Sequence, residues 1–344
     1  MRTRKKIKVL VVDDSLLFRE SLARGIAADP IIEVVATAAD PYEARDKILE
    51  FEPDVMTLDV EMPKMNGIEF LRRLMPQYPL PVVVVSGTDG VVFDAIGAGA
   101  IDFVAKPDSG RNLGMEALIN ELVVKIKIAS IVKVGNMKAP GMGRKIIGAG
   151  AGNGKNKIIA IGASTGGTEA IYNILKPLPL EMPGILVVQH MPPVFTKLYA
   201  ERLNNSCRME VLEAKNMDRV LPGRVLIAPG DSHMRLKIIE NDYYVECFKG
   251  EKVKGHRPSI DILFESVAQC MGGDSIGIIL TGMGYDGAKG LLSMKKKGAA
   301  TIGQDEKTSV VYGMPKAAYD VGAVEYQLPL EEIPNRVYKM MTGR

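Results

Sequence analysis

The chain has 344 residues, 47% hydrophobic and 25% charged, with a formal net charge of +3. These are globular values, and the length suffices for two ordinary domains, each with its own core. No apolar stretch approaches the roughly 18 residues that span a bilayer, and the basic cluster at Arg2, Arg4, Lys5 and Lys6 has no apolar core behind it, so neither a membrane span nor a signal peptide is expected.

The small net charge demands no nucleic acid. Cys207, Cys247 and Cys270 are far apart and form no C-x-x-C metal pair and no disulfide framework. A soluble cytoplasmic protein is the expectation.

In chain order, short apolar runs at 7–12, 34–36, 55–58, 82–85 and 103–105 alternate with helix-period segments at about 16–28, 42–51, 67–75, 92–98 and 112–131. Apolar runs without alternation belong to strands covered on both faces, hence a parallel sheet wound with helices. This predicts a doubly wound α/β domain over 1–130.

Polar residues sit at the carboxyl ends of its strands: Asp13 and Asp14 after the first, Asp59 at the third, Ser86 at the fourth, Lys106 at the fifth. Ligands of open α/β sheets bind at those ends. Carboxylates brought together repel unless a cation sits among them, and hard oxygen ligands suit Mg²⁺. A lysine and a hydroxyl opposite the metal are what a phosphoryl group needs.

This constellation resembles the two-component receiver domain, over about residues 7–128. The resemblance implies that Asp59 accepts phosphate from a histidine kinase, and that Asp13, Asp14, Asp59 and the carbonyl of Glu61 hold Mg²⁺. It further implies that Ser86 and Lys106 bind the phosphoryl oxygens and that Lys106-Pro107 is a candidate cis peptide. Phe103 is either the aromatic switch residue or a buried strand phenylalanine.

Residues 131–156 are rich in Gly, from Gly135 to Gly154, and cannot bury a core. They read as a flexible linker. The alternation then resumes, with strands expected at 157–161, 185–189, 224–228, 275–280 and 300–303. Helices are expected near 168–175, 195–205, 259–270, 287–297 and 331–341, and a hairpin at 234–248 turning at Asn241-Asp242. A second doubly wound domain, Rossmann-like, over 157–344 is the expectation.

Its first strand runs into Gly162-Ala163-Ser164-Thr165-Gly166-Gly167. Small neighbours permit a sharp strand-to-helix turn that exposes a serine nucleophile and turns helix N–H groups toward an oxyanion. A serine needs a base, usually an imidazole oriented by a carboxylate. All three histidines lie in this half. His190 follows an apolar strand, as Ser164 does, whereas His233 leads into the hairpin and His256 precedes a helix. His190 is therefore the preferred base. Asp286 follows a further strand and is the candidate carboxylate, with a helix N-cap as the plain alternative.

The segments Ile161-Gly162-Ala163-Ser164-Thr165-Gly166-Gly167, Gln189-His190-Met191, Ile227-Ala228-Pro229-Gly230, His256-Arg257-Pro258-Ser259-Ile260-Asp261 and Leu280-Thr281-Gly282-Met283-Gly284-Tyr285-Asp286-Gly287 resemble the CheB family. These are chemotaxis protein-glutamate methylesterases with a receiver domain. The resemblance implies a triad of Ser164, His190 and Asp286, with Met283 beside the oxyanion site and Thr165 flanking the nucleophile. It implies a phosphorylation-activated esterase on methyl-accepting chemotaxis receptors that also deamidates receptor glutamines. The esterase step would need no cofactor, and the protein would be peripheral to membrane receptors. A phosphorylation-switched adaptor is the binding-class rival. A transcription factor is the other, but it would need a basic helix-turn-helix.

Overall fold

The computed structural model describes residues 5–107, 114–132 and 157–342. The chain divides into two compact units, Met1–Gly135 and Asn136–Arg344. The expected linker lies, from residue 133 to 156, outside the described residues.

The first unit runs β1 (Ile7–Val12), α1 (Leu16–Ala27), β2 (Ile32–Ala38), α2 (Pro41–Phe51), β3 (Val55–Asp59), α3 (Gly67–Leu74), β4 (Val82–Ser86), α4 (Val92–Gly97), β5 (Asp102–Ala105) and α5 (Met115–Ala129). Its five strands form a parallel sheet in the order β2-β1-β3-β4-β5. Every residue of β3 and β4 is buried, which is why neither strand shows the two-residue alternation of a half-exposed sheet.

Helix starts are fixed by local chemistry. Asp40 accepts hydrogen bonds from Tyr42 N at 2.9 Å and Glu43 N at 3.0 Å with Pro41 in the first turn of α2, and Asn66 accepts from Glu69 N at 2.8 Å ahead of α3.

The second unit runs β6 (Ile158–Ala163), α6 (Gly167–Leu175), β7 (Gly184–Gln189), α7 (Phe195–Ser206), β8 (Glu210–Glu213), β9 (Arg224–Ile227), β10 (His233–Ile239), β11 (Asp242–Phe248), α8 (Ile260–Met271), β12 (Ser275–Ile279), α9 (Ala288–Lys296), β13 (Ala300–Gln304), α10 (Met314–Asp320), β14 (Tyr326–Leu328) and α11 (Ile333–Thr342). Seven strands make a parallel sheet in the order β14-β13-β12-β6-β7-β9-β8. The hairpin β10–β11 packs on α8, which also packs on α9, and Leu263, Phe264, Leu291 and Met294 meet there in the core.

Both units are the parallel α/β domains expected. Three elements of the second escape the sequence pattern. Strand β8 is two apolar residues flanked by glutamates at one sheet edge, β14 is three residues at the other, and α10 opens on Met314-Pro315. The hairpin turns one residue earlier than expected, at Glu240-Asn241. Both residues take positive φ, 51° and 71°, as a two-residue turn between twisted strands requires. Among the described residues the cis peptide is Arg257-Pro258, not Lys106-Pro107. Most X-Pro bonds are trans, and Lys106 takes its place beside the acidic residues without a cis bond.

Candidate active site and acidic pocket

Strand order reverses between β6 and β12, the place where open α/β sheets bind ligands. Strands β12, β6 and β7 are adjacent there, with Gly162 opposite Ile279 and Ala163 opposite Gln189. Their carboxyl ends lead to Asp286, Ser164 and His190 respectively. Ser164 stands in the turn before α6, where Gly166 takes a φ of 77° that a residue with a side chain rarely adopts.

The turn is held by main-chain bonds. Ser164 N donates to Thr281 O at 3.0 Å, Gly167 N to Ser164 O at 2.7 Å, and His190 N to Ala163 O at 3.1 Å. Gly282 presses against the nucleophile so closely that a Cβ there would lie 2.6 Å from Ser164 Cβ.

Asp286 is buried and answers to two structures at once. Its Oδ2 lies 3.0 Å from His190 Nε2 and accepts from Ile260 N at 2.8 Å, while Oδ1 accepts from Ser259 Oγ at 2.9 Å and Asp261 N at 3.2 Å. It therefore caps α8 from outside that helix while holding the histidine. Burial pushes its carboxyl up, but the His190 hydrogen bond and charge, with the Ile260 and Asp261 N–H groups, outweigh that and hold it down at about 2. With Nε2 taken by Asp286, the ring nitrogen left over is Nδ1, which is buried and has no hydrogen-bond partner among the described residues. Thr165 is buried beside the nucleophile, and Met283 is exposed at the rim.

The other two histidines differ in kind. His233 is fully buried, with Nε2 on Glu251 O at 2.9 Å and Nδ1 accepting from Ser259 N at 3.2 Å, so both nitrogens are spent on structure. The ring of His256 stacks on that of His190, centroids 3.9 Å apart and planes within 6°.

Gln189 stands in the Gln189-His190-Met191 segment, but the sequence assigns it no role of its own. Its amide Nε2 donates to Ser164 O at 2.9 Å and to His190 O at 3.2 Å, a role hidden in sequence because a strand-end glutamine has no pattern of its own. Burial pushes the thiols of Cys207 and Cys247 up to about 11 and about 12, so neither supplies a thiolate to rival Ser164.

In the first unit, Asp13, Asp14 and Asp59 bring carboxylate oxygens within 4.8 Å of one another. Lys106 Nζ lies 2.7 Å from Asp13 Oδ2 and 2.7 Å from Asp59 Oδ2, above the ring of Phe18. Burial pushes the Asp59 carboxyl up and the Asp13 charge adds to this, against the pull of Lys106. Three carboxylates facing one ammonium leave negative charge that a divalent cation would cancel, and the donor set is the hard-oxygen kind that suits Mg²⁺.

Glu61 N donates to Asp59 Oδ1 at 3.2 Å, which draws the Glu61 main chain to that carboxylate. The Ser86 hydroxyl accepts from Thr88 N at 3.1 Å at the next strand end. Phe103 is buried edge-on against Phe93 with Lys125 Nζ over its ring.

The CheB methylesterase family profile matches residues 159–337, and that of the response regulator receiver domain matches residues 9–117. A protein-glutamate methylesterase/protein-glutamine glutaminase of Syntrophomonas wolfei is 59% identical over 338 residues, covering 98% of each chain. A protein of the same description from Salmonella typhimurium is 47% identical over 96% of each chain. Among solved structures, the CheB methylesterase catalytic domain of Thermotoga maritima is 40% identical and superposes with a TM-score of 0.53, covering 54% of this chain and 98% of that one.

Proposed function

The chain belongs to the CheB methylesterase family, and on that premise we propose that it hydrolyses glutamyl methyl esters on chemotaxis receptors, deamidates receptor glutamines, and is activated through its receiver domain. The observation that carries the site assignment is the pairing of His190 Nε2 with Asp286 Oδ2 at 3.0 Å, one strand away from the turn bearing Ser164.

In this reading His190 Nδ1 removes the Ser164 hydroxyl proton and Ser164 Oγ attacks the γ-carbonyl carbon. The N–H groups of Ser164, Gly167 and Gly282 are spent on carbonyls, so the oxyanion falls to main-chain N–H groups near Thr165 and Met283. Collapse of the tetrahedral adduct breaks the C–OMe bond, His190 returns its proton to the leaving oxygen, and methanol departs. Water then gives a proton to His190 and its oxygen to the acyl carbon, releasing the glutamate carboxylate and restoring Ser164. Asp286 fixes the tautomer and stabilises the imidazolium. With a glutamine, ammonia leaves instead.

In the first unit Asp59 would accept phosphate from the chemotaxis histidine kinase, with Ser86 and Lys106 on the phosphoryl oxygens and Phe103 at the switch position. Asp13, Asp14, Asp59 and the Glu61 carbonyl would hold Mg²⁺, which supplies charge neutralisation for phosphoryl transfer when bound. The domain limits we assign are 1–130 and 157–344. Among the described residues no helix is long and apolar enough to cross a membrane. In this reading the enzyme works in the cytoplasm, peripheral to its receptors.

Methanol release from methyl-labelled receptor is the test. Turnover is expected from the native chain and not from Ser164→Ala, and equal turnover by both would overturn the assignment.

A further inference from the structure

His256 sits in a turn clamped from several sides before the active site asks anything of it. Val253 N donates to His256 O at 3.0 Å and His256 N to Val253 O at 2.9 Å. The next residue, Arg257, donates through Nε to Asp231 Oδ1 at 2.9 Å, and Lys254 reaches Asp261 Oδ2 at 2.6 Å. The main chain that carries the imidazole is thus held by its own loop, and the ring meets His190 face to face at 3.9 Å.

A single bond from His190 Nε2 to Asp286 does not by itself fix the ring plane, and turning about Cβ–Cγ would change where Nδ1 points. A second flat ring at van der Waals distance removes that freedom. We propose that His256 is a positioning residue for the reaction, a fixed aromatic platform that holds the His190 plane so that Nδ1 faces Ser164. This rests on the assignment of Ser164 and His190 as nucleophile and base.

The platform suits a base that becomes charged in mid-reaction. Burial first, then the neighbouring His190 and Lys252 against the pull of Asp286, hold His256 down at about 4, so a neutral ring faces His190 at neutral pH. A neutral π-face attracts an imidazolium, whereas a second imidazolium would repel it.

The test compares His256→Ala with His256→Phe in the full-length chain, on methylated receptor, with circular dichroism melts for each and Ser164→Ala alongside. Misplacing a catalytic group by about 1 Å costs on the order of 100-fold, so His256→Ala is expected to lower kcat about 10- to 100-fold with KM little changed. His256→Phe, which keeps a flat ring, is expected to recover most of that loss. A serine-reactive phosphonate should label the two variants in the same order.

A folded His256→Ala within about twofold of native kcat would overturn the proposal, as would a folded His256→Phe no better than alanine. If the alanine variant does not fold, the phenylalanine variant decides alone, since a folded protein with full loss of turnover overturns the platform. Turnover by Ser164→Ala equal to the native chain would instead remove the assignment beneath the proposal.

Discussion

Gln189 donates its side-chain amide to the main-chain carbonyl of Ser164 at 2.9 Å, and so ties the end of β7 to the turn that follows β6. The same nitrogen reaches His190 O at 3.2 Å, so one group fixes nucleophile and base against each other at the level of the main chain. Its Oε1 is buried without a partner among the described residues, a cost that an apolar side chain would not carry.

Gln189→Leu should therefore cost activity more than stability. Two carbonyls lose a donor, worth about 1–3 kcal/mol, but the unpartnered amide oxygen is removed with it. A folded protein with kcat lowered about tenfold or more is expected from loosened geometry. Thermal melts and receptor turnover measured together check this, and unchanged kcat would show the tie to be dispensable.

Ser164→Ala is expected to lower turnover by on the order of 10³-fold or more while the fold survives, and His190→Ala to match it. The double variant should be little worse than either, because a nucleophile and its base act as a unit. Steady-state rates of the three variants on one receptor preparation are the measurement. A tenth of native activity in Ser164→Ala would move the chemistry elsewhere.

Asp286 makes a prediction about acid. Its carboxyl is held at about 2 in the folded protein against an ordinary 3.8, so it favours the folded state above about pH 4 and loses that contribution as pH falls through 2. The shift corresponds to about 2 kcal/mol. Denaturant melts of the native chain between pH 5 and pH 2 should show this loss, and Asp286→Asn should show less of it. Parallel curves for the two proteins would contradict the linkage.

Asp59→Ala is expected to remove stimulation by acetyl phosphate with Mg²⁺ while leaving basal esterase turnover. Chelating the metal with EDTA should do the same to the native chain, since the carboxylates it would join belong to the first unit and not to Ser164. Stimulation that survives either treatment would place the phosphate elsewhere.

Much of this was legible in the sequence because parallel strands write themselves plainly. Buried runs such as Val82-Val83-Val84-Val85 have no other reading in a wound sheet, and each ends where its polar residue begins. Edge strands and contacts between distant loops are another matter. Glu210-Val211-Leu212-Glu213 carries charge because one side of β8 lacks a neighbouring strand, so its pattern resembles a loop. His256 showed only a turn before a helix, since its stacking on His190 depends on how β7 and that turn meet in space. In the sequence Asp286 fits a triad carboxylate or a helix cap equally. The structure has it capping α8, a helix earlier in the chain, with Oδ2 serving both Ile260 N and the histidine.

The three strands that converge at the point of reversal also govern when a newly made chain becomes dangerous to its surroundings. Ser164 leaves the ribosome long before Asp286 does, and at ordinary synthesis rates the interval is on the order of ten seconds. Throughout that time β12 has not yet been laid beside β6, so the Thr281 carbonyl that receives Ser164 N and the carboxylate that steadies His190 are both missing from the growing protein. A nascent fragment therefore carries a serine whose base lacks its orienting carboxylate, and full esterase activity waits until the sheet closes. Recovery of esterase activity during refolding would therefore report that β12 has joined β6, and not merely that β6 has paired with β7.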